Sequence, residues 1–119
     1  ISYHPKIYEA LNGAGCHTNI STKGTREKWD SITSVIDKLE ESHDVHMEVY
    51  GKGNELRLTG DHETSDLGSF SWGIGDRGAS IRVPAHVKEA GCGYVEDRRP
   101  ASSCDPYLVT NRILQTLTA

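Results

Sequence analysis

The sequence predicts an α+β fold, an antiparallel β-sheet flanked by helices, and three observations carry that prediction. Apolar residues recur every three or four positions between Thr25 and Ser42, which is the helical period. From His46 to Asp97 the pattern changes to short alternating runs separated by glycine-rich turns, the signature of strands. Beyond Asp105-Pro106 a helical apolar face returns and runs to the end of the chain. At 119 residues, with no repeat and no low-complexity tract, the chain is at most one domain.

Taken in order, Ile1 to Tyr8 is short and extended, since Pro5 excludes a helix interior and confines any strand to an edge. Asn12 to Asn19 is a glycine-rich loop, NGAGCHTN, followed by the small hydroxyl residues Ser21 and Thr22. Trp29, Ile32, Ile36 and Leu39 form the apolar stripe of a helix over about Thr25 to Ser42, with Glu27, Lys28, Asp37, Lys38 and Glu40 on its solvated face. His46–Tyr50 and Glu55–Thr59 alternate around Gly51-Lys52-Gly53-Asn54, which predicts a β-hairpin with Arg57 on the face opposite Leu56 and Leu58. Gly60 to Ser69 is polar and too long for a tight turn, and reads as a mobile loop of the kind that closes over a ligand. Phe70–Ile74 and Gly78–Val83 are strand-like and joined through Gly75-Asp76-Arg77. Ala85 to Cys92 is a connection, and Gly93 to Asp97 is a further strand. Asp105 is an N-cap with proline at the first helical position, and Leu108, Val109, Ile113, Leu114 and Leu117 give the last helix its apolar face.

Composition narrows the partners. Thirteen Lys and Arg against seventeen Asp and Glu give a net charge of −4, with the signs interspersed, so neither a nucleic-acid footprint nor a membrane-surface patch is indicated. Small anions fit better than polymers. Cys16, Cys92 and Cys104 are odd in number, widely spaced and in no C-x-x-C pair, which argues against a disulfide framework or a zinc knuckle and for a reducing cytosol. No apolar run approaches a membrane span, and Ile1 begins no signal peptide. The chain starts without Met in a strand-like stretch, so a fragment is expected.

Chemistry concentrates in Tyr94 to Pro100, where Glu96, Asp97, Arg98 and Arg99 lie between a glycine turn and a proline. A carboxylate holds a divalent metal and a guanidinium holds the oxyanions that the metal bridges, so Glu96 beside Arg98 suggests a strand edge facing a metal-nucleotide; a solvated ion-pair network is the plainer alternative. His17, in the glycine-rich loop, offers a ring nitrogen to a metal, although no P-loop spacing is present and a hydrogen-bonded turn histidine also fits. His43 and His46 are three apart with no third ligand in reach, which favours a structural role. Arg57, Arg77, Arg82 and Arg98 fall on strands or turns that line one sheet face in this reading, together with His17, Glu63 and Glu96. Arginines fork onto carboxylate and phosphate, a His and a Glu ligate Mg²⁺ or Mn²⁺, and a loop glutamate suits shielding or deprotonating a nucleophile.

Four motifs occur in one order: Asn12 to Asn19, Arg57-Leu58-Thr59-Gly60-x-His62-Glu63-Thr64, Arg77 to Arg82, and Gly93-Tyr94-x-Glu96-Asp97-Arg98-Arg99-Pro100. With them the chain, from Ile1 to about Thr116, resembles the C-terminal part of the catalytic domain of glutamine synthetase, eukaryotic type. The resemblance implies residues 1–119 to be a partial catalytic domain whose N-terminal part is absent. It implies an enzyme family of glutamate–ammonia ligases, ATP-dependent through a γ-glutamyl phosphate, cytoplasmic, and built as homo-oligomers with sites between subunits. Glutamate, ammonia and ATP are then the partners, with Mg²⁺ or Mn²⁺ as the metal, and no nucleic acid or membrane. By position, the resemblance makes His17 and Glu96 metal ligands and puts Asn12 and Gly13 against the glutamate backbone. It puts Asn19 and Ser21 against the nucleotide, Arg57 and Arg98 on the glutamate carboxylates, and Arg77 and Arg82 on the transferring phosphoryl group. Glu63 becomes the flap residue closing the ammonia side.

The chain departs from the family pattern at Ala10-Leu11, Asp61, Gly75-Asp76 and Val95. Asp61 and Asp76 add negative charge near anion sites, which is expected to weaken substrate binding. The family's remaining metal-binding glutamates lie outside this sequence, so the isolated chain is expected to be inactive. The alternative is a catalytically silent relative that binds nucleotide or another subunit.

Overall fold

A computed structural model describes residues 2–6, 13–58 and 68–119, with Arg57 described by its backbone alone. The described strands are β1 (Thr18–Ile20), β2 (Trp72–Ile74), β3 (Ile81–Val83) and β4 (Val95–Asp97), joined in the order β1-β4-β3-β2. β4 runs antiparallel to both of its neighbours, with Asn19 and Arg82 each opposite Glu96. It is therefore interior to the sheet, not the edge expected from its charges. β2 and β3 pair in parallel, Gly73 opposite Arg82, across a loop of residues 75–80 in which Gly75 N donates back to Val83 O at 2.8 Å.

The pleat of these strands sorts their side chains. Ile81, Val83 and Val95 are fully buried on one face while Arg82 and Glu96 emerge on the other. The buried face packs against α2 (Trp29–Glu41) through Ile32, Val35, Ile36 and Leu39, and against α6 (Pro106–Thr118) through Val109 and Ile113. Each such aliphatic side chain taken fully out of water contributes about 1.5–3 kcal/mol, so this layer holds the sheet in place. α6 starts as its sequence dictates: the Asp105 carboxylate accepts from Tyr107 N at 2.9 Å, and Pro106 occupies the first turn where no N–H is needed.

Three expectations need correction. The first helix is two: α1 (Lys23–Glu27), closed by a Thr22/Thr25 capping box, and then α2, with Lys28 extended between them at φ −154°. The segment from Ala85 to Cys92 contains a helix, α5 (Ala85–Ala90), ended by Gly91 at φ +74°. The hairpin over residues 46–59 is also helical, as α3 (His43–Val49) and α4 (Asn54–Arg57). His46 Nδ1 lies 2.6 Å from Tyr50 Oη, four residues on. Four residues advance about 6 Å along a helix and about 13 Å along a strand, so only the helical course brings the two rings together. The turn that follows passes so close to residue 101 that a Cβ on Gly51, at φ +111°, would stand 2.9 Å from Ala101 Cβ. Ala101 N also donates to Tyr50 O at 2.8 Å. No helix among the described residues is long and apolar enough to cross a membrane.

Candidate functional site

On the polar face of the sheet, Asn19, Glu96, Arg82 and Gly73 stand side by side, because residues directly opposite one another across a ladder share a face. Glu96 is the centre. Its Oε1 lies 3.1 Å from His17 Nδ1, and its Oε2 lies 3.3 Å from Arg98 Nη1 and 3.7 Å from Arg82 Nε. Arg98 follows β4 and extends its ladder, donating from its backbone N to Ser80 O at 2.9 Å, so the side chains at 96 and 98 meet on one side. Two guanidiniums around one carboxylate leave an excess of positive charge here. Arg82 Nε is buried with no hydrogen-bond partner among the described residues, a donor that an incoming oxyanion would satisfy.

The other candidates divide. Asn19 and Ser21 both line a cleft of about 340 Å³ between β1 and α6, whose other walls include Ile113, Leu114 and Leu117. Ser21 Oγ accepts from Arg26 Nη1 at 3.0 Å. Arg77 is exposed on the turn between β2 and β3. Gly13 enters the segment in which Ala14 N donates to Pro5 O at 2.6 Å. Asn12, Asp61 and Glu63 lie outside the described residues, and Arg57 ends a helix instead of pointing from a strand. Asp76 is a turn residue: its Oδ1 accepts from Gly78 N at 2.8 Å while the side chain packs over Gly73.

Behind Glu96, on the buried face, is a polar network that sequence reasoning did not find. Asp97 accepts from Arg99 Nε at 2.9 Å and Nη2 at 2.8 Å, a two-pronged ion pair with both side chains fully buried. Burial by itself would raise the Asp97 carboxyl, but the Arg99 charge and the hydrogen bonds outweigh it and hold the group below the usual carboxylate range. Tyr50 Oη donates to Asp97 Oδ2 at 2.7 Å; burial, and then the Asp97 charge, push the phenol upward. Since Tyr50 gives its proton to Asp97, His46 Nδ1 must donate to Tyr50 Oη, and neutral His46 then accepts at Nε2 from Thr116 Oγ1, 2.7 Å away. Burial foremost, reinforced by the Arg99 charge, lowers His46 to about 4. Arg99 also donates from Nη1 to His43 Nδ1 at 2.8 Å, and its guanidinium lies 5.2 Å from the rings of Tyr50 and Phe70. The one available signal was the spacing of His43, His46 and Tyr50, which continues a helical face three and four apart.

Among the described residues no group of three or more His, Cys, Asp or Glu is arranged to hold a metal ion. His17 and Glu96 are thus a pair of donors, one imidazole and one carboxylate, the mixture that Mn²⁺ and Mg²⁺ accept as part of a larger set.

No family model matches the chain. Among curated proteins it is similar to a glutamine synthetase of Hebeloma cylindrosporum, 56% identical over 119 residues, covering 98% of this chain and 34% of that protein. It is similar also to a glutamine synthetase of Schizosaccharomyces pombe, 55% identical over 120 residues, with 98% of this chain and 33% of the relative covered. A glutamine synthetase cytosolic isozyme of Pinus sylvestris is 52% identical, again over 98% of this chain and 33% of the relative. The chain spans about a third of the length of the curated relatives it matches. With more than half of its residues identical across nearly its whole extent, the chain belongs to the glutamine synthetase family, as a sequence corresponding to about a third of a member's length.

Proposed function

We propose that this chain supplies part of the active site of an ATP-dependent glutamate–ammonia ligase that works through γ-glutamyl phosphate. The observation that carries the reading is the convergence on Glu96 of His17, Arg82 and Arg98, with the Arg82 Nε donor left open. His17 and Glu96 fit a divalent cation, Mg²⁺ or Mn²⁺, as two ligands of a site whose others come from water, substrate or further protein. When bound, that cation would draw electron density from the phosphate oxygens and so make the phosphorus easier to attack.

The protein groups have separate tasks in this reading. Arg98, with Arg57, holds the carboxylates of glutamate by planar forks, which fixes the attacking oxygen. Arg82, with Arg77, meets the charge that grows on the equatorial oxygens of the transferring phosphoryl group. Asn19 and Ser21 border the cleft beside β1 and suit the nucleotide, while Asn12 and Gly13 border the glutamate backbone. Glu63 serves as the flap acid that shields the acyl phosphate from water until ammonia attacks. Assembly into a homo-oligomer with sites shared between subunits, and a cytoplasmic setting, are part of the same proposal; the name of the Pinus sylvestris relative supports the latter.

Mn²⁺ binding tests the reading directly. Followed by the loss of the free-ion paramagnetic resonance signal, binding is expected to weaken strongly in His17→Ala and in Glu96→Gln. Unchanged titration curves for both variants would overturn the assignment.

A further inference from the structure

The proposed ligase reading makes no use of cysteine, yet the fold brings together two thiols that are far apart in sequence. Gly15 bridges Ala101 in antiparallel fashion, Cys16 N donates to Pro100 O at 2.9 Å, and Ser102 N donates to Ala14 O at 3.2 Å. Residues 14–16 therefore run alongside 100–102. A tight turn then carries the chain back, Cys104 N donating to Ala101 O at 3.0 Å, and sets Cys104 beside Cys16, near enough for each thiol to act electrostatically on the other. Both are free thiols, Cys16 exposed and Cys104 half-buried against the core.

We propose that Cys16 and Cys104 form a reversible disulfide when the protein meets a peroxide, making this pair an oxidation site. Exposure selects Cys16 as the thiol oxidised first: hydrogen peroxide transfers one oxygen to its sulfur, leaving Cys16 as a sulfenic acid and releasing water. The Cys104 sulfur then attacks the Cys16 sulfur. The S–S bond forms, the S–O bond breaks, and the hydroxide leaves with the Cys104 proton as a second water. In balance, two thiols and one hydrogen peroxide give one disulfide and two waters. Partial burial, and then the adjacent Cys16, push the Cys104 thiol up to about 11. Its reaction therefore depends on the held proximity of the two sulfurs and not on an abundant thiolate. The bond would fasten the loop that delivers His17, the next residue, to the segment that follows β4. Cys92, between α5 and β4, lies outside this arrangement and serves as an internal reference.

The test is a non-reducing peptide map of the full chain, folded, reduced, exposed to hydrogen peroxide and quenched with an alkylating reagent. The expected result is a cross-linked peptide joining Cys16 to Cys104, with Cys92 alkylated, the link lost on treatment with dithiothreitol, and no such link when the chain is oxidised in concentrated urea. Cys16→Ser is expected to leave Cys104 fully alkylatable, with an unchanged circular dichroism spectrum showing that the variant folds. Oxidation of Cys16 to a sulfinic acid without a cross-link would overturn the proposal. So would a link that involves Cys92, or equal linkage in folded and denatured chains.

Discussion

His46 makes the stability of the fold depend on pH. The unfolded side chain takes up a proton near its ordinary value of 6.5, whereas the folded one resists until about 4, because burial and Arg99 oppose a second positive charge. Between those values the unfolded state binds more protons than the native state, so stability falls as the pH falls and levels off below about 4. Each unit of separation is worth about 1.4 kcal/mol, which gives a loss of roughly 1 kcal/mol by pH 5.5 and roughly 2 to 3 kcal/mol by pH 4.5. Asp97 does not confuse this range. Its carboxyl is held below the usual value, so its contribution is present above that value and lost only at still lower pH. The assay is urea denaturation at several pH values on the chain and on His46→Gln, which has no proton to gain. The variant will be less stable at pH 7, where its amide replaces a ring bonded on both sides, but its stability should fall less between pH 7 and 4.5. Parallel curves for the two proteins would refute the argument.

Under the proposed ligase reading, Glu96→Gln, made in a full-length protein containing this sequence, should reduce glutamine formation by orders of magnitude with partial rescue by Mn²⁺, whereas Arg98→Lys should raise the KM for glutamate and leave metal dependence alone. Initial rates over a matrix of glutamate and Mn²⁺ separate these, and wild-type kcat/KM for either variant at limiting Mn²⁺ would remove β4 from the active site. Arg99→Met should destabilise the fold by about 3–5 kcal/mol, since it leaves the Asp97 charge buried and uncompensated; a loss under about 1 kcal/mol in urea denaturation would contradict that. Gly93→Ala should lower the thermal midpoint, because φ is +145° and the new Cβ would sit 2.8 Å from Val87 Cγ2. The 119-residue chain alone should form no glutamine in a coupled assay with ATP and ammonium, as two metal donors are too few for catalysis.

Much of the architecture was legible because burial writes a period into the sequence. The stripe Ile32, Ile36 and Leu39 and the Asp105-Pro106 start announced α2 and α6 correctly, and the alternation Ile81-Arg82-Val83 announced both β3 and its polar face. The residue chemistry of Arg82, Arg98 and His17 is legible in the sequence, and the structure gathers the three at Glu96. Residues 46–59 misled because a five-residue alternation is too short to distinguish periods. The deciding contacts, His46 with Thr116 and Tyr50 with Asp97, cross 70 and 47 residues of chain. The Asp97–Arg99 pair was hidden for a related reason. Nothing local says which of two adjacent acids and which of two adjacent arginines faces inward.

That choice is made by the pleat of β4, and it turns the buried ion pair into a lock on alignment. Moving the strand by a single residue would carry Glu96 into the apolar layer and expel Asp97 to the surface. Hydrophobic side chains alone discriminate poorly against such a slip in a strand of three residues. A carboxylate clamped by a guanidinium, a phenol and a backbone N–H discriminates sharply, because every misaligned state strands at least one charge away from water. A one-residue insertion or deletion within β4 is therefore far less tolerable to the fold than a substitution on its polar face.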